Sequence, residues 1–143
     1  MNPMPQILEI EDLHTYFYTR QGIAKAVCGV SFHVSKGEIL GVVGESGSGK
    51  SVTALSILRL VPFPGKIVSG DIRLKGQSLL DLPPSDMRQI RGDRISMIFQ
   101  EPMISLNPAF TIGDQLIEAL RVHRKITRRE ACDRAVEMLG QVD

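Results

Sequence analysis

The sequence has little cysteine, few aromatic residues and no long apolar segment. Its 143 residues include two cysteines, no tryptophan, two tyrosines and five phenylalanines. Cys28 and Cys132 stand far apart with no C-x-x-C pair, which argues against a disulfide framework or a cysteine metal site. No apolar run approaches the roughly 18 residues of a membrane-spanning helix, and residues 1–12 show no signal-peptide pattern. We therefore expect a cytosolic protein with reduced thiols.

The charges do not favour one sign either. The chain has 17 Lys and Arg against 16 Asp and Glu, a formal net charge of +1 and a pI of about 7.8. This balance argues against binding nucleic acid through bulk positive charge, and against an acidic disordered tail. Hydrophobic residues make up 43% of the chain, which is a globular composition, and a chain of this length can bury a core.

Apolar patterns in the first two thirds of the chain predict strands. Residues 27–34 alternate with the period of two that half-buried strands show, and residues 6–12 and 68–75 predict two more short strands. Residues 38–43 form a continuous apolar run, which is typical of a central parallel strand covered on both faces. Residues 94–99 are mostly apolar and predict a further strand. These patterns indicate an α/β protein.

Helical patterns also occur, and they dominate the last third. Residues 51–61 carry an apolar stripe that predicts a helix. Capping-box patterns that begin at Thr111 and Thr127 each precede a further helical stripe. The change of pattern divides the chain into residues 1–107, a β-subdomain plus a core that holds a phosphate-binding loop (P-loop), and residues 108–143, the start of a helical subdomain.

The segment between the strand predicted at 38–43 and the helix predicted at 51–61 fits G-x-x-x-x-G-K-[ST] in full. Its glycines let backbone N–H groups point inward around an anion, and the helix adds the positive end of its dipole. Lys50 supplies a mobile cation for the terminal phosphates of a nucleotide, and Ser51 a hydroxyl for Mg²⁺. The predicted nucleotide-binding residues here are Gly44, Glu45, Ser46, Gly47, Ser48, Gly49, Lys50, Ser51 and Val52.

A plain turn and two rival motifs fit this segment less well. A glycine-rich turn between a strand and a helix does not require Lys50 and Ser51 in register. A dinucleotide-binding fingerprint that starts at Gly47 would need a third glycine where Val52 stands. A protein-kinase loop would be followed by H-R-D and D-F-G sequences, and this sequence has neither.

A glutamine stands where the strand predicted at 94–99 ends. Pro102 follows Gln100 closely and prevents a simple continuation of the strand. Ligands bind at strand ends in open α/β sheets, so Gln100 is placed to coordinate a metal through its carbonyl oxygen and to orient a water. A solvated glutamine at a strand end is the simpler alternative, and the residue alone does not decide between the two.

The combination of segments resembles the ATP-binding subunits of ABC transporters. The phrases GESGSGKSVTAL and ISMIFQEPMISLNP are most similar to the branch that imports oligopeptides, dipeptides or nickel, and the second phrase is the more specific. The resemblance runs from Leu13 to about Leu139. It implies a P-loop NTPase (RecA-like) core with an N-terminal antiparallel β-subdomain and the start of a helical subdomain.

The resemblance also implies roles for individual residues. Lys50 would contact the β- and γ-phosphates of ATP, and Ser51 would bind Mg²⁺ within this Walker A loop. Gln100 would be the Q-loop glutamine, which touches Mg²⁺ and senses the γ-phosphate. Lys50 and Gln100 are therefore the expected catalytic residues, and ATP and Mg²⁺ are the expected cofactors.

An aromatic residue near the N-terminus stacks on adenine in this family, through its π face. Phe17 falls closest to that position. Tyr16 and Tyr18 flank it and would point to the opposite face of a strand, and both stay open as alternatives. A purely structural role for Phe17 in the core is the simpler alternative, because aromatic residues are commonly buried.

The expected partners and location follow from the same resemblance. The chain would pair head-to-tail with a second ATPase subunit and dock on transmembrane permease subunits at the cytoplasmic face of the cell membrane, with no nucleic acid. We expect peptides or similar small solutes as cargo. Nickel or another solute is an alternative, as is a nucleotide-binding fragment without catalysis.

Several parts of the family pattern are missing from the sequence. It has no LSGGQ-like signature, no apolar strand that ends in Asp-Glu, and no assignable switch histidine. Because phosphoryl transfer depends on positioning and on charge stabilisation around the γ-phosphate, we expect this chain alone not to hydrolyse ATP. We interpret it as the truncated N-terminal part of a longer ATPase subunit, and expect the isolated chain to be poorly soluble or partly folded.

Overall fold

The computed structural model describes residues 5–100 and 106–142. The chain divides into two compact units, Met1–Met87 and Arg88–Asp143, and each is described by itself. None of the described helices is long and apolar enough to span a bilayer. The elements in chain order are β1 (Gln6–Thr19), β2 (Gly22–Ser35), α1 (Lys50–Ile57), β3 (Gly65–Leu74), β4 (Gln77–Ser78), α2 (Pro84–Ile90), α3 (Ile112–His123) and α4 (Arg128–Leu139).

The first unit is built on a four-stranded antiparallel sheet with the strand order β2-β1-β3-β4. A turn at Arg20 and Gln21 joins β1 to β2, and Thr19 lies opposite Gly22 in the register. The antiparallel N-terminal sheet and the α/β class are thus as predicted. The largest buried side chains of this unit are Ile10, Leu13, Thr15, Ser56, Ile72, Leu79 and Met87.

A buried hydroxyl pair joins α1 to the sheet. Thr15 of β1 and Ser56 of α1 are both fully buried, and their side-chain oxygens lie 2.9 Å apart in a hydrogen bond. The Ser56 hydroxyl donates its one proton to the carbonyl oxygen of Val52, at 2.7 Å, so Thr15 is the donor within the pair. Since no buried side-chain polar atom among the described residues lacks a partner, this pair is satisfied in place. It fixes which face of β1 lies against the helix.

Helix α1 is shorter than the predicted helix at 51–61. It ends at Ile57 because Arg59 adopts a left-handed backbone conformation, with φ of +52°. The Arg59 guanidinium donates to the carbonyl oxygens of Leu79 and Leu82, at 3.0 and 2.6 Å. This tertiary anchor holds a conformation that costs energy for a residue with a Cβ atom, and local sequence does not signal it.

The run predicted as a central parallel strand, 38–43, does not belong to the described sheet, and neither does the strand predicted at 94–99. Ile39 and Val43 are 98% and 94% exposed, and Ile98 is 92% exposed. A strand is held by a ladder of hydrogen bonds to a neighbour, and no described residue forms a ladder with 38–43 or 94–99. Near 94–99 the described structure has an isolated parallel β-bridge between Arg91 and Ile95.

The second unit contains two capped helices. Thr111 accepts a hydrogen bond from the Asp114 amide at the start of α3, at 3.1 Å. At the start of α4 the capping box is reciprocal, because Thr127 accepts from the Glu130 amide while the Glu130 carboxylate accepts from the Thr127 amide. Both predicted helix starts are confirmed. Arg128 then pairs with Asp114 at 2.6 Å and joins the first turns of the two helices.

Candidate functional site

The predicted phosphate loop leads directly into the N-terminus of α1. Gly49 is the N-cap residue, and Lys50 is the first residue of the helix. No side chain caps this end, and the first turn contains no acidic residue. Because the first amides of a helix have no partner within the helix, they are available to an anion together with the positive end of the dipole. The loop therefore presents a site for negative charge.

Glycine is required where the loop approaches β2. Gly47 and Gly49 have φ of +80° and +94°, a region that L-residues with a Cβ atom rarely adopt. A Cβ atom on Gly49 would overlap the carbonyl oxygen of Ala26, whereas a Cβ atom on Gly47 would meet nothing within 4 Å. The close approach of the Ala26 carbonyl oxygen thus explains why position 49 requires glycine. The left-handed backbone conformation explains why position 47 favours it.

The side chain of Lys50 folds back over its own loop. Its Nζ donates to the carbonyl oxygens of Gly44 and Glu45, at 2.6 and 2.7 Å, and lies 3.4 Å from the Ser48 hydroxyl. These partners are neutral, so a phosphate that enters the loop would offer the ammonium a stronger, charge-assisted bond. The lysine is therefore already at the loop, held by contacts that an anion can replace.

A small cavity lies within the loop. It has a volume of about 130 Å³ and is lined by Ala26 and residues 47–52. Ser51 is exposed, and Lys50 is half-buried. The described residues contain no group of three or more His, Cys, Asp or Glu side chains that could hold a metal.

The three neighbouring aromatic residues of β1 divide between the two faces of the sheet. Phe17 follows the buried Thr15 by two positions and therefore lies on the same face of β1. Its Cε1 atom lies 2.7 Å from the position that a Cβ atom on Gly65 would occupy. Tyr16 contacts His14 across the ring edge, at 6.0 Å between centroids, while Lys66 lies 5.8 Å from the Tyr18 ring. Phe17 is thus the one of the three on the Thr15 face. Its role in stacking on adenine stays a prediction.

Gln100 belongs to the second unit, and its side chain is exposed. The strand predicted over residues 94–99 is absent from the described structure, so Gln100 lies at a bend instead of a strand end. Residues 101–105, which are part of the specific ISMIFQEPMISLNP phrase, lie outside the described residues. The Mg²⁺ and γ-phosphate roles of Gln100 stay predictions.

Comparison with known proteins gives the family. Residues 27–143 match the family model described as ABC transporter. This chain belongs to the ABC transporter family. Two curated relatives from Bacillus subtilis (strain 168) are similar along nearly all of it. The oligopeptide transport ATP-binding protein AppD is 50% identical over 97% of this chain, and the oligopeptide transport ATP-binding protein OppD is 47% identical over 96%.

This chain spans only part of the length of these relatives. It covers 43% of AppD and 38% of OppD, so it spans about two fifths of their length. A solved structure has the same fold: the dimeric, post-hydrolysis state of the ATP-binding cassette MJ0796 bound to ADP and Pi. It matches with a TM-score of 0.80 at 24% identity, over 94% of this chain and 56% of the other. That likeness establishes the P-loop fold class.

Sequence reasoning missed one residue that lines the loop cavity. Ala26 lines the loop cavity and brings its carbonyl oxygen against Gly49. The contact is made by the backbone of β2, where the register with β1 shifts between Thr15 and Tyr16. A contact made by a main-chain carbonyl does not require a particular residue type. The small side chain of Ala26 is therefore only a weak sequence signal for this contact.

Proposed function

We propose that this chain is part of the ATP-binding subunit of an ABC importer for peptides or similar small solutes. The observation that carries the proposal is the identity of 50% with AppD and 47% with OppD, two oligopeptide transport ATP-binding proteins. The identity extends over 97% and 96% of this chain, so it is not limited to the phosphate loop that many NTPases share.

The geometry of the phosphate loop supports ATP as the ligand. Residues 44–52 would surround the phosphates, with the free amides of the first turn of α1 directed at negative charge. Lys50 would exchange its bonds to the carbonyl oxygens of Gly44 and Glu45 for the β- and γ-phosphates. Phe17, on the Thr15 face of β1, would stack on the adenine.

The Ser51 hydroxyl is a suitable oxygen ligand for magnesium. Ser51 offers an exposed hydroxyl at the helix N-terminus, and the described residues hold no carboxylate cluster. Mg²⁺ keeps several waters and is commonly bound through substrate phosphates rather than by a cage of protein ligands. Ser51 would be its protein ligand in the loop, and Gln100 is the further ligand that the family resemblance implies. When bound, the ion would supply positive charge beside the terminal phosphates.

The partners are those of an ABC importer. The chain would pair head-to-tail with a second ATPase subunit and dock on transmembrane permease subunits at the cytoplasmic face of the membrane. Peptides are the preferred cargo because the relatives AppD and OppD are named for oligopeptide transport. Nickel or another small solute is the alternative cargo within the same function.

Nucleotide binding by a lysine variant tests the proposal. Lys50→Ala removes a charged donor from the phosphates. Because hydrogen bonds to charged groups are worth about 1.5–3 kcal/mol, we expect the Kd for ATP to rise roughly 10- to 100-fold. Isothermal titration on the subunit that carries this sequence would measure it. Lys36→Ala is the matched control, since Lys36 is exposed and outside the loop. Equal affinity in the Lys50 variant and the wild type would contradict the proposal.

A further inference from the structure

Two successive hydroxyl hydrogen bonds run from β1 into the first turn of α1. The Thr15 hydroxyl donates to the Ser56 hydroxyl at 2.9 Å, and the Ser56 hydroxyl donates to the Val52 carbonyl oxygen at 2.7 Å. Thr15 and Ser56 are fully buried, so bulk water does not compete for either bond. Successive hydrogen bonds polarise and strengthen one another where water is excluded. We call Thr15, Ser56 and the Val52 carbonyl the hydroxyl bridge.

The ends of the hydroxyl bridge lie near the two parts of the proposed nucleotide site. Val52 lines the cavity of the phosphate loop. Thr15 lies two positions before Phe17 on the same face of β1, about 7 Å along the strand. Ser56 follows Lys50 by six positions, about 9 Å along the helix axis. The bridge thus joins the strand that carries the Phe17 ring to the helix that carries the phosphate loop.

A separate set of contacts holds the beginning of α1 against β2. The register between β1 and β2 shifts directly after Thr15, which lies opposite Val27, and this shift leaves Ala26 as an extra residue of β2. The Ala26 carbonyl oxygen approaches Gly49, and the Val27 side chain lies 3.6 Å from the position of a Cβ atom on Gly49. These contacts do not use the hydroxyl bridge. We therefore expect the phosphate loop to stay anchored on β2 when the bridge is removed.

We propose that Thr15 and Ser56 are positioning residues that fix the distance between the Phe17 ring and the phosphate loop. A nucleotide must reach both elements at once, and binding at two points is strong only where their spacing matches the ligand. Inorganic triphosphate reaches the loop alone and does not depend on that spacing. The hydroxyl bridge therefore gives the site its preference for a nucleoside triphosphate over a bare polyphosphate. This inference rests on the proposed function, which takes ATP as the ligand and Phe17 as the stacking residue.

Three variants remove the hydroxyl bridge and separate positioning from stability. Thr15→Val nearly keeps the shape of the side chain and removes the donor to Ser56. Ser56→Ala leaves the buried Thr15 hydroxyl unsatisfied, so it also destabilises the fold. Thr15→Val combined with Ser56→Ala leaves no hydroxyl unsatisfied and should recover part of that stability, although the bridge stays absent.

Thr53→Val is the matched control for the loss of a buried hydroxyl in α1. The Thr53 side chain is buried, but its hydroxyl donates to the Gly49 carbonyl oxygen one turn earlier, at 3.0 Å, and not to β1. The control therefore removes a comparable hydrogen bond from the same helix and leaves the hydroxyl bridge in place.

Isothermal titration on the subunit that carries this sequence would measure the Kd for ATP and for inorganic triphosphate, and urea unfolding would measure stability on the same samples. For Thr15→Val and for the double variant we expect the Kd for ATP to rise roughly three- to tenfold, the loss that corresponds to one modest hydrogen bond. The Kd for triphosphate should change by less than about twofold, because the loop keeps its contacts with β2. Thr53→Val should keep the wild-type ratio of the two Kd values.

The double variant and the wild type give the decisive outcomes. If the ratio of the two Kd values returns to that of the wild type in the double variant together with stability, the hydroxyl pair is only structural and the inference is wrong. An unchanged ratio in Thr15→Val, or the same change in Thr53→Val, would also overturn it. A wild-type subunit that binds ATP and triphosphate equally well would overturn the inference but leave the phosphate site intact. A wild-type subunit that binds neither ligand would refute the proposed function itself.

Discussion

The change Gly49→Ala tests the geometry of the phosphate loop most directly. Gly49 has φ of +94° at the N-cap of α1, and a left-handed conformation costs about 1–2 kcal/mol for a residue with a Cβ atom. The added Cβ atom would also overlap the carbonyl oxygen of Ala26 in β2. The first cost depends on the local backbone alone, whereas the second depends on how closely the loop approaches the sheet.

Gly47→Ala separates the two costs. Gly47 has φ of +80°, and an added Cβ atom meets nothing within 4 Å, so this variant carries the conformational cost alone. Overpacking against rigid main chain adds typically about 1–3 kcal/mol. We therefore expect the free energy of unfolding to fall by about 1–2 kcal/mol for Gly47→Ala and by about 2–5 kcal/mol for Gly49→Ala.

Urea unfolding of the subunit that carries this sequence, with ATP titrations on the same samples, would measure both effects. Because Gly49→Ala must move the loop away from Ala26, we also expect it to weaken ATP binding more than Gly47→Ala does. Equal losses of unfolding free energy in the two variants would refute the reasoning. They would mean that the close approach of Ala26 to Gly49 has no energetic consequence.

Two further predictions concern the packing of α1 and the acid stability of α4. Ser56→Ala leaves the buried Thr15 hydroxyl without its partner and should cost about 1–3 kcal/mol in urea unfolding, and adding Thr15→Val should recover part of that loss. The backbone and side-chain hydrogen bonds from Thr127 lower the pKa of Glu130 below its usual 4.5. The capping box should thus stabilise α4 fully above about pH 4.5 and lose its effect as the pH falls through the lowered pKa. Glu130→Gln should abolish this acid dependence in amide-exchange measurements on α4, and an unchanged dependence would contradict it.

Local signals in the sequence predicted the structure wherever neighbouring residues suffice to form it. The caps at Thr111 and Thr127 need only residues three positions away, and both form as expected. The turn between β1 and β2 is likewise local. The phosphate loop is predictable as a unit, because its glycines, Lys50 and the helix that follows are adjacent in sequence.

Non-local partners explain the features that sequence reasoning missed. An apolar run such as 38–43 shows what a segment would bury, but the run does not contain the strand that would pair with it. In the described structure Ile39 and Val43 are almost fully exposed. The early end of α1 at Ile57 follows from the conformation of Arg59, which the carbonyl oxygens of Leu79 and Leu82 anchor. These partners lie some twenty residues further along the chain, so no helix pattern can indicate them.

The phosphate loop keeps its form although the segment before it has no strand neighbour among the described residues. Its geometry comes from the side of α1. The Thr15–Ser56 hydroxyl pair holds the helix on the sheet, and the approach of Gly49 to Ala26 sets where the helix begins. Lys50 then closes the loop from within through the carbonyl oxygen of Gly44. Because these contacts join the loop to β1 and β2, the geometry of the predicted nucleotide site does not require residues 38–43 to lie in the sheet. The contacts of α1 therefore determine the anion site, and variants at Gly49 and Ser56 should affect it more than variants in the preceding apolar run.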